Sequence, residues 1–150
     1  MLRKNMGLYR GKRRDTGEWV EGYLAGYDLI CPGEPQDVSH ATGKYYDETP
    51  YVGFVEVDPA TVGRFTGMRD RNGERVFEGD VCRFREWSRG EMCWIGNIHY
   101  ENQQFVISGG PNEECDTPFC LQLSRFVAGN IEVIGTFHDN HELLEVTPNE

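Results

Sequence analysis

The sequence predicts an all-β chain built from hairpins, with at most one or two short helical turns. Three observations carry that prediction. Eighteen glycines and seven prolines among 150 residues impose frequent turns and favour short strands over long helices. Apolar residues recur at alternate positions in runs such as "YVGFVEVD" (51–58) and "IEVIGTF" (131–137), the period of a half-buried strand. Between the runs stand short turn signals, "DTGE", "DRNGE" and "ENQQ".

From the N-terminus, residues 8–30 read as a hairpin. "LYRGKRR" leads into "DTGE", and "WVEGYLAGYDLI" returns with Trp19, Val20, Tyr23 and Leu24 as strand-forming bulk. Residues 31–50 hold three prolines and no period, so they read as a loop. Pro59 is expected to end the strand at 51–58 and open a short turn, "PATVG". In "FTGMRDRNGERVFEGDVCRF" (65–84) Asn72-Gly73 signals a hairpin, because both residues tolerate positive φ, and Gly79-Asp80 marks a second corner. Residues 92–108 read as another hairpin turning at "ENQQ", 109–120 as a loop, and 121–127 as a strand or short turn. "HDNHELLEV" closes the chain, with Asp139 or Asn140 as the expected cap of one helical turn.

The net charge of -10 repels phosphate backbones and anionic membranes as a whole. No window approaches the roughly 18 apolar residues of a membrane span. The basic start "MLRKNMGLYRGKRR" lacks the apolar core of a secretion signal, so a cytoplasmic location is expected. Cys31, Cys82, Cys93, Cys115 and Cys120 make an odd number, with no C-x-x-C pair, and read as free reduced thiols.

Two stretches echo each other at an offset of 56: "YRGKRRDTGEWV" (9–20) and "FTGMRDRNGERV" (65–76). Gly11, Arg13, Gly17, Glu18 and Val20 meet Gly67, Arg69, Gly73, Glu74 and Val76. The second stretch with its continuation to "EGD" resembles the central segment of the YopX family of phage and prophage proteins. "IEVIGTFHDNHELLE" is similar to that family's C-terminal segment, "YRGKRRDTGEWVEGYL" to its N-terminal hairpin, and "VDPATVGRFTGM" to its approach to the central motif. The resemblance spans about residues 8–145. It implies small β subdomains, one of them SH3-like or barrel-like, in a single domain over 1–150. Its N-terminal hairpin region would span about 8–58 and its central and C-terminal β region about 59–146. It implies a phage origin but no activity, and it carries over no catalytic residue.

Within 65–84 the glycines Gly67, Gly73 and Gly79 are expected where the backbone turns sharply or nears a neighbour. Asp70 and Asp80 suit turns, because their side chains accept from nearby N–H groups. Val76, Phe77, Val81 and Phe84 are the candidate core. The chemical alternative makes Asp70, Glu78 and Asp80 a metal-dependent hydrolase site. "HDNHE" offers His138, His141 and Glu142 on one helical face, but this is not the H-E-x-x-H of zinc peptidases. Only His40 or His99 remains as a distant ligand, so neither metal nor cofactor is expected. No nucleophile motif or phosphate loop occurs.

Charge layout is the remaining signal. Residues 1–14 carry six basic and no acidic groups, and residues 64–90 carry seven arginines against five acids. The rest of the chain is strongly acidic. Positive charge thus gathers at the two echoed turns, making Arg13, Arg14, Arg69, Arg71 and Arg75 the candidate partner-binding residues. The expected function is that of a non-enzymatic accessory protein acting through protein contacts or as a homo-oligomer. The second reading is a nucleic-acid-binding module using the same basic hairpins.

Overall fold

The computed structural model describes residues 7–32, 54–86, 92–111 and 118–145. The chain is mostly β, in two sheets, and divides into two units, Met1–Phe65 and Thr66–Glu150. The first unit holds β1 (Leu8–Arg13), β2 (Trp19–Gly26), β3 (Leu29–Pro32) and most of β4 (Val55–Arg69). Each strand pairs antiparallel with the next, and β1 also pairs with β4, so the sheet returns on itself as a small ring. This is the barrel-like element implied by the resemblance. Ile30 and Val57 are fully buried within it, and Leu8 and Phe65 nearly so. Removing such side chains from water contributes about 1.5–3 kcal/mol each.

The return from the first turn is two strands, not one. Tyr27 and Asp28 turn the chain between β2 and β3, and the Asp28 carbonyl accepts from the Val57 amide at 2.9 Å. The turn expected at "PATVG" does not form, because β4 runs through it. Lys12 pairs with Asp58 and Arg10 with Gly63, so four residues of β4 bulge opposite Gly11 alone. Pro59 sits inside this bulge, where no ladder donor is required of it. Thr61 bridges the gap: its hydroxyl accepts from the Lys12 amide at 2.8 Å and donates to the Asp58 carbonyl at 2.6 Å. Of the strand expected at 51–58, residues 51–53 lie outside the described residues, as does 33–50 of the expected loop.

In the second unit β5 (Arg75–Phe77) pairs with β4. A five-stranded antiparallel sheet follows, in the order β10-β6-β7-β8-β9. Its members are β6 (Asp80–Glu86), β7 (Met92–Glu101), β8 (Gln104–Gly109), β9 (Phe119–Gln122) and β10 (Ile131–Thr136). The β7–β8 turn is the one expected, with Asn102 and Gln103 both at positive φ (53° and 66°), as a two-residue hairpin loop requires. Phe119 and Cys120 belong to β9 and not to the loop expected there, while 112–117 lies outside the described residues.

Val76, Cys82, Phe84, Ile98, Ile107, Leu123, Phe126 and Ile131 form the core of this unit. Phe84 lies at its centre, 4.6 Å from the Phe126 ring, 5.7 Å from Phe119 and 6.1 Å from Trp94. The single helical turn at the C-terminus is α1 (Phe137–Asn140), followed by a 3-10 turn at His141–Leu144. Its cap is Thr136, one turn earlier than Asp139 or Asn140. The Thr136 hydroxyl accepts from the Asp139 amide at 3.0 Å, and the Asn140 side chain accepts from the Thr136 amide at 3.1 Å. The described residues include no helix long and apolar enough to cross a membrane.

Candidate functional site

The carboxylates of residues 65–84 are drawn into the backbone. Asp70 is buried, at 4% exposure. Its Oδ1 accepts from the amides of Asn72 (2.8 Å) and Glu74 (2.9 Å), and its Oδ2 accepts from the Val133 amide at 2.9 Å. Arg71 follows with its own amide donating to the Ile131 carbonyl at 2.8 Å. The turn is thereby fastened along the outer edge of β10. The carboxylate stands in for a strand carbonyl, and it does so at the bulge between Val133 and Gly135. Gly73 is at φ 84°, but Asn72 is not at positive φ, since Asp70 supplies the bonds that close this turn.

Asp80 is fully buried, and its Oδ2 accepts from the Phe77 amide at 2.7 Å across the corner. Gly79, at φ 90°, is held from both sides: its amide donates to Ile98 at 2.8 Å, and its carbonyl accepts from Phe137 at 2.6 Å. Asp70 and Asp80 are therefore fold-holding groups rather than a pair presented to solvent. Among the described residues no group of three or more His, Cys, Asp or Glu is placed to hold a metal ion. His141 faces Glu145 at 4.0 Å, and His40 lies outside the described residues.

The candidate arginines separate by unit and by company. In the first unit Arg13 binds Asp15 through two parallel bonds of 2.9 Å. That hydrogen-bonded pairing lowers Asp15 from the usual carboxylate range and raises Arg13. Arg14 lies 3.8 Å from Asp28. Both arginines line an open groove of about 760 Å³ with Leu29, Phe54 and Val55, where Asp15, Asp28 and Glu56 outnumber them.

In the second unit Arg69 donates to the Gly73 carbonyl of its own turn at 2.8 Å, and Arg75 is half-buried on β5. Arg71 is exposed and joins two arginines that the sequence reading did not select, Arg83 and Arg85. Together with Gly129, Asn130, Ile131 and Glu132 they line a pocket of about 90 Å³. The signal for Arg83 and Arg85 was present: they alternate with the buried Cys82 and Phe84, so they share the outer face of β6. What the sequence lacked was the pairing that sets β10 beside β6 and the turn beside β10.

A polar strip on the second sheet also went unselected. His99 Nδ1 lies 3.4 Å from Ser108 Oγ, and His99 Nε2 lies 3.2 Å from Glu101 Oε1. The Cys120 thiol donates to Glu101 Oε2 at 3.9 Å. Burial pushes this thiol up, and the Glu101 charge adds to the shift, so Cys120 stays a protonated, weak nucleophile at neutral pH. Cys31, Cys82, Cys93 and Cys120 are free thiols, whereas Cys115 lies outside the described residues.

No curated protein matches the chain. Among solved structures it is similar to the crystal structure of protein EF1440 from Enterococcus faecalis. Identity is 21%, over 91% of this chain and 96% of that one, with a TM-score of 0.45. The family model described as YopX protein matches residues 8–145, through both echoed turns, the fastened β10 and α1, and the chain belongs to the YopX family.

Proposed function

We propose that this is a phage or prophage accessory protein that works by binding another protein or another copy of itself, in the host cytoplasm, and not by catalysis. The observation that carries the reading is the pocket lined by Arg71, Arg83 and Arg85 with the single acidic residue Glu132, on a chain of net charge -10. Local positive charge of this kind steers and orients an acidic protein surface. A nucleic acid is the poorer match, because the acidic bulk of the molecule opposes a polyanion at long range. The hydrolase reading with Asp70, Glu78 and Asp80 is also the poorer match, because Asp70 and Asp80 accept backbone N–H groups.

The test is affinity purification from infected or prophage-induced cells followed by mass spectrometry, paired with light scattering of the purified protein. Wild type should retain a specific protein or form a defined oligomer, and Arg71→Glu/Arg83→Glu should lose it. A monomer that captures no protein, or one that retains nucleic acid through these arginines, would contradict the reading.

A further inference from the structure

We propose that the pocket at Arg71, Arg83 and Arg85 is a carboxylate site, which receives an aspartate or glutamate side chain from a protein segment. The proposal rests on the protein-contact reading above and adds the chemistry of the contact. The pocket encloses about 90 Å³, space for one small charged group and not for a base with its sugar. β6 places Arg83 and Arg85 two residues apart, so their side chains rise from the same face of the sheet. Arg71 comes to them from the turn. Its approach is fixed by two bonds to β10, Arg71 N–H to Ile131 and Val133 N–H to Asp70. The turn therefore fixes the Arg71 backbone before any ligand arrives, so that only the side chain is left to be ordered on binding.

Guanidinium forks match carboxylates by paired, charge-assisted hydrogen bonds. Glu132 decides between a carboxylate and a phosphate. It lines the same pocket and stands opposite Arg83 in the β6–β10 register. Its charge cancels part of the arginines' attraction, and because the cost of desolvating an anion grows with the square of its charge while the attraction grows only in proportion, the reduced positive field disfavours a phosphate dianion more than a carboxylate monoanion. Arg71 and Arg83 against Glu132 already leave an excess of positive charge suited to one carboxylate. An acidic segment of a partner protein supplies that chemistry.

The experiment titrates the full-length protein at low salt with a fluorescein-labelled peptide, Gly-Glu-Asp-Gly-Glu-Asp, read by anisotropy. A matched Gln/Asn peptide, and acetate, inorganic phosphate and a single-stranded oligonucleotide as competitors, are the comparisons. The acidic peptide should bind and the amide peptide should not. Arg83→Ala and Arg71→Ala should each weaken binding about tenfold, the loss of one charge-assisted contact. Glu132→Gln should tighten the peptide and raise the affinity for inorganic phosphate by a larger factor. Thermal melting of each variant confirms that it is folded. Phosphate or the oligonucleotide displacing the peptide more effectively than acetate would overturn the assignment, as would peptide binding indifferent to Arg83→Ala in a folded variant. If wild type and Arg71→Ala/Arg83→Ala capture the same partner protein, the carboxylate site fails while the protein-contact reading stands. If the peptide binds as expected and no partner or oligomer is found, the reverse holds.

Discussion

The two echoed turns close in nearly the same way and are secured by different means. In the first, the Arg13 amide donates to Glu18 and the Gly17 amide to Arg13, at 2.8 and 2.9 Å. In the second, the Asp70 amide donates to Glu74 and the Gly73 amide to Asp70, at 2.8 and 3.0 Å. Gly17 and Gly73 share a left-handed φ, 78° and 84°. The second loop is one residue shorter, however, and its strand anchor is Asp70, whose partner at the offset of 56 is Arg14 and not Arg13. The first turn is supported at the surface, by the Arg13–Asp15 pair and by the Thr16 hydroxyl, which accepts from Glu18 at 3.1 Å. The second is supported from inside, by a buried carboxylate taking two amides of its own turn and one from β10, 63 residues away. Similar turn sequences therefore differ in consequence: an exposed ion pair is screened by water, whereas a buried acceptor is costly to remove.

That contrast ranks the effects of substitution. Asp70→Ala should be the most damaging, because it leaves the amides of Asn72, Glu74 and Val133 without their acceptor. A loss of about 2–4 kcal/mol is expected in urea denaturation. Gly79→Val comes next, at about 1–3 kcal/mol, since a β-branched residue is strained at the φ of 90° that the bonds to Ile98 and Phe137 impose. An unchanged melting temperature would show that this corner can rearrange.

Thr61→Val tests the nearest equivalent of Asp70 in the first unit. A neutral hydroxyl bridges that bulge, so about 1 kcal/mol is expected from the lost bonds to Lys12 and Asp58. Asp15→Asn should have the smallest effect. Pairing with Arg13 lowers Asp15, so the pair's contribution to stability is fully present above the ordinary carboxylate range near pH 4. The contribution fades as pH falls through the lower folded value. The stability curves of wild type and Asp15→Asn should therefore separate slightly at neutral pH and converge in acid.

The sequence made the sheets legible wherever turns and alternation agreed. Gly73, Gly79 and the "ENQQ" turn all appear where their residue types demand, and Val76, Phe77, Val81 and Phe84 are buried. Pro59 misled because a bulge removes the usual penalty of a proline in a strand. Thr136 was overlooked as a cap because the apolar run continues through Phe137. The candidate site was half legible. Arg71 stands out as a turn arginine, but Arg83 and Arg85 sit in a strand that reads as core. Their company with Arg71 depends on β10 pairing with β6 across about 50 residues of chain.

The amide of Val133 reports most directly on whether Asp70 serves the fold rather than a reaction. Its only role in that case is to donate to a side chain 63 positions away. In hydrogen exchange followed residue by residue, Val133 should be protected in wild type to the same degree as the paired amides of β10. In Asp70→Asn one oxygen remains to accept, so Val133 or the turn amides of Asn72 and Glu74 should exchange faster while the core of the second sheet stays protected. Rapid exchange of Val133 in wild type, or protection indifferent to Asp70→Asn, would contradict the structural role assigned to this carboxylate.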